Sequence, residues 1–169
     1  MSVLNDSSIT IYEAMKNIEV GKYVMPAFQR QYVWSMEQIE KLWDSILLDY
    51  PIATFLFWHV DENNVSTDTY FCNFLSEVTF DSRKQSDSPN YELSSINTNT
   101  TDTAILDGQQ RLTSLYLSLF GTAYIRQKHA RKINKGGTLA KLLIELNKHK
   151  LTVDEEEYNS KKFDIRFSE

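Results

Sequence analysis

The segment around Asp107 constrains the fold more than any other part of this sequence. The apolar residues 104–106 predict a short buried strand, and the Asp-Gly pair at Asp107 and Gly108 is a turn signal. Apolar residues then return at helical spacing from Leu112 onwards. A strand that turns at a glycine directly into a helix leaves the first N–H groups of that helix unpaired. The sequence therefore predicts an anion-binding corner where this helix begins.

The polar side chains of this corner suggest phosphate chemistry. Arg111 lies in the first helical turn and is expected to hold phosphate oxygens, while Gly108 lets the backbone approach a ligand closely. We expect Gln109 or Gln110 to align an attacking water molecule or to read a base edge. Asp107 is expected to bind Mg²⁺, to position water or to cap the helix. An ordinary Asp-Gly turn is the alternative, and the spacing leaves both interpretations open.

A second polar loop, residues 26–34, places an arginine beside amide and aromatic side chains. Gln29 and Arg30 are neighbours in this loop, as Gln110 and Arg111 are in the first corner. Because both loops carry such a pair, we expect them to close opposite sides of one anionic pocket, with Tyr32 or Trp34 stacking on a base. The alternative is that Arg30 is solvated while the aromatic residues close the core; these are Phe28, Tyr32 and Trp34.

The composition favours one folded domain over residues 1–169. Hydrophobic residues make up 41% of the chain, enough for a core, and the single cysteine, Cys72, excludes an internal disulfide. No secretion signal or membrane-spanning run is present, so we expect a cytoplasmic protein without a membrane partner. The net charge of −5 argues against a dominant DNA-binding surface. The candidates for local nucleic-acid contacts are Arg126, Arg131 and Lys132, although a solvated basic loop is the simpler interpretation.

Hydrophobic periodicity and capping signals predict an alternation of helices and strands. The clearest helix follows Ser35, which forms a capping box with Gln38, and Pro51 ends that run. The continuous apolar run 52–60 is typical of a central strand. The other predictions are helices over 9–18 and 112–119, strands over 23–25, 104–106, 141–146 and 163–167, a strand or short helix over 70–75, and loops over 82–90 and 94–103.

Several familiar catalytic and metal-binding patterns are absent from the sequence. The chain has no P-loop, no nucleophile elbow, no paired-histidine metalloprotease motif and no His-Asn-His nuclease motif. Its three histidines and Cys72 lack the spacing of zinc ligands. We therefore do not expect this domain to cleave DNA itself.

Two motifs occur far apart in the sequence and in a fixed order. Residues 26–34 read Pro-Ala-Phe-Gln-Arg-Gln-Tyr-Val-Trp, and residues 106–115 read Leu-Asp-Gly-Gln-Gln-Arg-Leu-Thr-Ser-Leu. Between them lie Leu-Trp-Asp-Ser-Ile at 42–46 and Pro-Ile at 51–52. This series resembles the N-terminal domain of GmrSD-type restriction proteins over roughly residues 9–167. The resemblance implies an α/β fold of the α+β type, similar to ParB and sulfiredoxin, with a small mixed sheet flanked by helices.

The resemblance also implies nucleoside-triphosphate binding and hydrolysis in prokaryotic defence against phage or modified DNA. Family members continue well past this length, so we expect the N-terminal part of a longer protein, with a nuclease domain or partner subunit elsewhere and DNA reached through the full-length protein. The alternative is a non-catalytic ParB-like module that binds DNA or a partner protein. The implied cofactor is Mg²⁺. The implied catalytic residues are Asp107, Gln109, Gln110 and Arg111, and the implied nucleotide contacts are Gln29, Arg30, Tyr32, Gly108 and Thr113.

In that resemblance, residues 108–111 stand where sulfiredoxins carry Gly-Cys-His-Arg and ParB proteins carry Gly-Glu-Arg-Arg. The glycine and the last arginine are common to all three, and these are the two groups that a phosphate needs. Gln109 stands in the position of the sulfiredoxin cysteine, so the redox chemistry of that family is not expected here.

Overall fold

The computed structural model describes residues 9–60, 71–81, 93–94, 101–126, 138–145 and 164–168. Three helices and nine strands lie within these ranges. The helices are α1 (Ile11–Glu19), α2 (Met36–Leu47) and α3 (Gln109–Leu119). The strands are β1 (Tyr23–Pro26), β2 (Leu56–His59), β3 (Phe71–Cys72), β4 (Glu77–Asp81), β5 (Leu93–Ser94), β6 (Thr103–Asp107), β7 (Thr122–Arg126), β8 (Thr138–Glu145) and β9 (Asp164–Ser168).

The strands form two mixed sheets. The first has the order β2-β6-β1-β3-β5, and the second has the order β4-β7-β8-β9. In the first sheet β6 runs parallel to β1 and antiparallel to β2, so it lies between them. In the second sheet β4 runs parallel to β7, and the remaining pairs are antiparallel. The predicted α+β class is confirmed; the similarity to ParB and sulfiredoxin remains a prediction.

Helix α3 links the two sheets, because it follows β6 in the first and precedes β7 in the second. Its Leu112 and Leu115 are buried in a core cluster with residues of α1, β1 and β6. Its Leu117 is buried in another cluster with residues of α2, β4 and β7. The helix is therefore packed on several sides, and its N-terminus is held in a fixed position at the end of β6.

Capping boxes define the starts of α1 and α2. Ser35 accepts from the backbone N–H of Gln38, whose side chain in turn accepts from the backbone N–H of Ser35, as the sequence predicts. Thr10 and Glu13 form an equivalent pair at α1, which the sequence analysis did not identify. Each box satisfies N–H groups that a helix start leaves unpaired. The predicted helices, the strand at 23–25 and the strand at 104–106 are confirmed.

The prediction of a central strand over 52–60 is wrong. Only Leu56–His59 is extended, and β2 lies at the edge of the first sheet rather than inside it. Leu56 and Phe57 are 55% and 40% exposed, so this apolar run is not buried on both faces. Residues 52–55 leave the sheet because Ala53 has a left-handed backbone, with φ of 67°.

The later predictions are met in part where the structure describes the chain. Phe71–Cys72 is a strand rather than a helix, and β8 and β9 cover most of the strands predicted at 141–146 and 163–167. Ser94, predicted as loop, belongs to β5. The loops predicted over 82–90 and 95–100 lie outside the described residues. Within the described ranges, no helix has the length and apolar character needed to cross a membrane.

Replacement of Ser35 by alanine should destabilise the protein by about 1 kcal/mol, because the N-terminus of α2 loses its cap. Urea denaturation measures this change. Ser45→Ala is the matched control: the Ser45 hydroxyl donates only to the carbonyl of Lys41 within the same helix, and its loss should change stability by less than about 0.5 kcal/mol. Equal losses from the two variants would contradict the capping role.

Candidate functional site

Gly108 forms the corner between β6 and α3. Its φ is 88°, a left-handed conformation that glycine adopts without strain, and it is the N-cap of α3. No side chain caps this helix, so the possibility that Asp107 caps it is not borne out. The first N–H groups of α3 thus remain available to an external acceptor, and the helix dipole adds about half a positive charge there.

Gln110 fixes the second loop to the start of α3. Its side chain is buried, accepts a hydrogen bond from the Val33 backbone N–H at 3.0 Å and donates one to the Gln31 carbonyl at 3.0 Å. Both ends of the amide are therefore occupied by the backbone of residues 31–33. Gln110 acts on the site by holding this loop in place.

Gln109 is also buried, but it is only half satisfied. Its Nε2 donates to the Arg30 carbonyl at 3.1 Å, whereas its Oε1 is buried and has no hydrogen-bond partner in the described part of the chain. An unsatisfied buried acceptor costs roughly 1–3 kcal/mol, which a bound water or ligand donor would remove. Of the two glutamines, Gln109 is the one with an acceptor left for a ligand.

A third glutamine attaches the beginning of the same loop to β6. Gln29 donates from its side chain to the Leu106 carbonyl at 3.0 Å, and its backbone N–H donates to the Pro26 carbonyl at 3.1 Å. The loop is thus held at Gln29, Arg30, and residues 31–33. These tertiary hydrogen bonds bring Arg30 to the corner formed by Gly108.

Arg111 ties a third segment to the site. Its guanidinium donates to the backbone carbonyls of Ile52 and of Thr54, the latter at 2.8 Å, and it lies over the Phe55 ring at 4.6 Å. Its contact with Asp107 is longer, at 3.7 Å, and the Asp107 side chain is 70% exposed, so this ion pair contributes little. Arg111 therefore has a structural role whether or not it also contacts a ligand.

The segment that Arg111 holds, residues 52–55, is strained. Ala53 has φ of 67°, a conformation that costs a residue with a side chain roughly 1–3 kcal/mol. The two carbonyls that accept from Arg111 belong to the residues on either side of Ala53. We infer that these hydrogen bonds and the Phe55 contact maintain the strained backbone.

A cleft of about 440 Å³ lies where these segments meet. That volume falls in the range of sites for small molecules. The cleft is lined by two arginines, one carboxylate, three amides and a half-buried tryptophan. Its lining residues are Gln29, Arg30, Trp34, Leu106, Asp107, Gly108, Gln109, Gln110 and Arg111.

The structure brings together the Gln-Arg pairs of both loops, as the sequence analysis expected of one shared pocket. It does not bring Tyr32 or Thr113 to the cleft. Tyr32 is 2% exposed and its hydroxyl contacts Ser114 at 2.8 Å, and Thr113 is fully buried. Tyr32 therefore packs in the core and does not present its ring to a base. Arg126 ends β7, and Arg131 and Lys132 lie outside the described residues.

The contribution of residues 52–55 to the site could not be predicted from the sequence. Their apolar residues predict a strand, and no glycine in this segment signals the left-handed backbone at Ala53. Phe28, considered as a core residue, is 81% exposed. Within the described ranges, no three His, Cys, Asp or Glu side chains cluster as metal ligands.

Comparison with known families assigns the chain. Residues 11–169 match the model of the GmrSD restriction endonuclease N-terminal domain. The chain belongs to that family. The match contains both polar loops and the segment 52–55, so the cleft is built entirely from residues of the family domain. The resemblance found in the two motifs is confirmed.

A curated relative is similar over part of its length. An uncharacterized protein of Methanocaldococcus jannaschii is 29% identical over 117 residues, which are 69% of this chain and 18% of the relative. The matched region thus spans less than a fifth of that protein.

Gly108→Ala should destabilise the protein by about 2–3 kcal/mol. An added Cβ would lie 2.3 Å from a ring carbon of Phe55, and a left-handed alanine is itself strained by about 1–2 kcal/mol. Gly21→Ala is the matched control, because Gly21 has φ of 74° but no atom within 4 Å of the added Cβ. It should lose only the backbone part, about 1 kcal/mol. Urea denaturation of both variants measures the difference.

Adding Phe55→Ala to the Gly108→Ala protein supplies a check on the cause. The double variant should lose less than the sum of the two single variants, because the clash is then absent. Equal losses from Gly108→Ala and Gly21→Ala would contradict the close packing of Phe55 on this corner.

Proposed function

We propose that the cleft binds and hydrolyses a nucleoside triphosphate, as the regulatory module of a restriction system. The observation that carries this proposal is Gln109, a residue that lines the cleft together with two arginines and the start of α3 and whose buried Oε1 has no partner among the described residues. Cationic groups and helix N–H groups suit phosphates, whereas a free acceptor suits a hydrogen-bond donor such as water. A site that holds a phosphate next to an ordered water favours phosphoryl transfer to that water.

The phosphate-binding part consists of groups from both loops. The unpaired N–H groups at the start of α3 can donate to phosphate oxygens, as they do at helix starts in general. Arg30 lies across the cleft on the other loop, exposed, with its backbone held by Gln109. Its charge can stabilise the negative charge that moves to the leaving oxygen during cleavage. Arg111 adds a second positive charge, although its hydrogen bonds to Ile52 and Thr54 limit its freedom.

Gln109 is the residue that we assign to the attacking water. Its Nε2 donates to the Arg30 carbonyl, which sets the orientation of the amide and leaves the buried Oε1 as an unused acceptor. A water molecule that donates to this oxygen would have its lone pair free to attack the γ-phosphorus. The bond from the γ-phosphorus to the bridging oxygen then breaks, with its electron pair passing to that oxygen. A proton of the water passes to a γ-phosphate oxygen, which gives a nucleoside diphosphate and orthophosphate. Glutamines orient water in this way in several nucleotide hydrolases.

Asp107 fits a Mg²⁺ ion that arrives with the nucleotide. Mg²⁺ in such sites is held by one or two carboxylates together with phosphate oxygens and water. Asp107 is the carboxylate among the lining residues, and its side chain is 70% exposed. One carboxylate does not make a protein cage for a free ion, but it matches a metal bound mainly by the triphosphate. The ion would neutralise phosphate charge, and Asp107 would hold it in place.

The restriction role follows from the family. Its description is that of the N-terminal domain of a restriction endonuclease, and this chain has no nuclease motif of its own. We propose that nucleotide binding or hydrolysis in this domain controls a nuclease in another domain or subunit. The alternative of a DNA-binding module stays a prediction, and two of its candidate residues, Arg131 and Lys132, lie outside the described residues.

Gln109→Met tests the proposal. The variant keeps the size of the side chain but removes both the unused acceptor and the Nε2 donor that holds the Arg30 carbonyl. Phosphate release with Mg²⁺ should fall by about 100-fold or more, because the water loses its acceptor. The Kd for the triphosphate should weaken no more than in Gln110→Met, which loosens the same loop. Phosphate release and calorimetric titration measure the two quantities.

Gln110→Met is the matched control. It also removes hydrogen bonds to the second loop, but Gln110 has no acceptor left for a ligand. It should lower stability, with turnover per folded molecule within about tenfold of the original protein. Wild-type turnover in the Gln109→Met protein, or an equal loss in both variants, would refute the assignment of the water to Gln109.

A further inference from the structure

Phe28 is a large solvent-exposed apolar side chain that does not itself line the cleft but directly precedes two residues that do. It is 81% exposed, more than any other large hydrophobic residue in the described part of the chain. Phenylalanine is among the residues most often buried, although a single exposed one on a protein surface is not unusual by itself. This one lies on a loop whose next two residues, Gln29 and Arg30, line the cleft.

The exposure of Phe28 is imposed by the backbone. The Gln29 N–H donates to the Pro26 carbonyl, which makes residues 26–29 a tight turn with Phe28 at its third position. Pro26 belongs to β1 and the Gln29 side chain is tied to the Leu106 carbonyl. Both ends of the turn are therefore anchored to the sheet, and the ring at its tip cannot withdraw into the core without breaking these bonds.

The loop carries two chemically different side chains close together, Phe28 and Arg30. Arg30 supplies a charge suited to phosphate, and Phe28 supplies a flat apolar face two residues away. A nucleotide has the same two parts, a charged phosphate chain and a flat base. Base–aromatic stacking requires no particular base, because every base has such a face.

We propose that Phe28 stacks on the base of the nucleotide whose phosphates enter the cleft. This inference rests on the proposed function, since it assumes that the cleft takes the phosphates. It assigns the base-binding role to Phe28, where the sequence had suggested Tyr32 or Trp34. Stacking also does not depend on the identity of the base. Loss of the Phe28 ring should therefore weaken the binding affinity for each of the four ribonucleoside triphosphates to a similar degree.

The test compares nucleotides with inorganic tripolyphosphate, which has the phosphates but no base. In calorimetric titrations with Mg²⁺, Phe28→Ala should weaken binding of each recognised nucleoside triphosphate by about fivefold or more. Its affinity for tripolyphosphate should stay unchanged. Phe28→Trp should retain nucleotide affinity, and its added indole fluorescence should be quenched by the nucleotide but not by tripolyphosphate.

Tyr12→Ala is the control for removal of an exposed aromatic ring. Tyr12 is 55% exposed on α1, and no residue of α1 lines the cleft, whereas Phe28 directly precedes two lining residues. This variant should bind both ligands as the original protein does.

Each remaining outcome overturns the inference in a distinguishable way. Unchanged nucleotide affinity in Phe28→Ala, or an equal loss for tripolyphosphate, would show that the ring does not contact the base. If the original protein binds tripolyphosphate as tightly as any nucleotide, the phosphate site stands and the stacking role fails. If it binds neither ligand, the proposed function fails as well.

Discussion

The hydrogen bonds from the start of α3 to the loop before α2 determine the architecture of the cleft. Gln109 and Gln110 are adjacent in sequence, buried, and bonded to backbone groups of Arg30, Gln31 and Val33. The residues that they join are 77 to 79 positions apart along the chain. Without these two amides, the loop that carries Arg30 would be attached to β6 only through Gln29, and that wall of the cleft would lose most of its hydrogen bonds.

The same helix start supports the opposite wall through Arg111. The guanidinium binds two carbonyls around Ala53, and Phe55 fills the space that a side chain at Gly108 would need. A residue that the sequence assigns to phosphate binding is thus also a structural tie. An Arg111 variant would test both roles at once, which makes Arg30 the better residue for separating ligand binding from folding. The strain at Ala53 is consistent with a segment that is positioned for function, because strained backbone concentrates at such sites.

Local signals predicted much of the fold. The capping box at Ser35 and the strand–glycine–helix corner at Gly108 depend on residues close in sequence, and both are present in the structure. The meeting of the two loops was predictable, since both Gln-Arg pairs line one cleft, while the binding role of these residues stays a prediction. The roles within each pair were not predictable, because they depend on which backbone groups the distant loop presents.

The errors have similar physical causes. The apolar run 52–60 has the composition of a buried strand. Residues 52–55 nevertheless leave the sheet, because Ala53 has a left-handed backbone and Arg111 hydrogen-bonds to the carbonyls of its neighbours. Phe28 and Tyr32 were both considered either for the core or for a ligand. The turn at 26–29 exposes the first, and the packing against α2 and β4 buries the second. Neither turn geometry nor burial can be read from residue type alone.

The first measurement to make is nucleotide binding by the unmodified protein and by its Arg30→Ala variant. It tests whether the cleft binds the phosphates of a nucleoside triphosphate. Thermal unfolding would be followed with each of the four ribonucleoside triphosphates and Mg²⁺, with Lys22→Ala as a control for loss of a positive charge outside the lining residues. At a hundredfold excess over Kd, the recognised nucleotide should add about 2.7 kcal/mol of stability. That corresponds to a rise in Tm of several degrees, which Lys22→Ala should keep and Arg30→Ala should lose. A cooperative transition that no nucleotide shifts, or an equal shift in Arg30→Ala, would contradict the account.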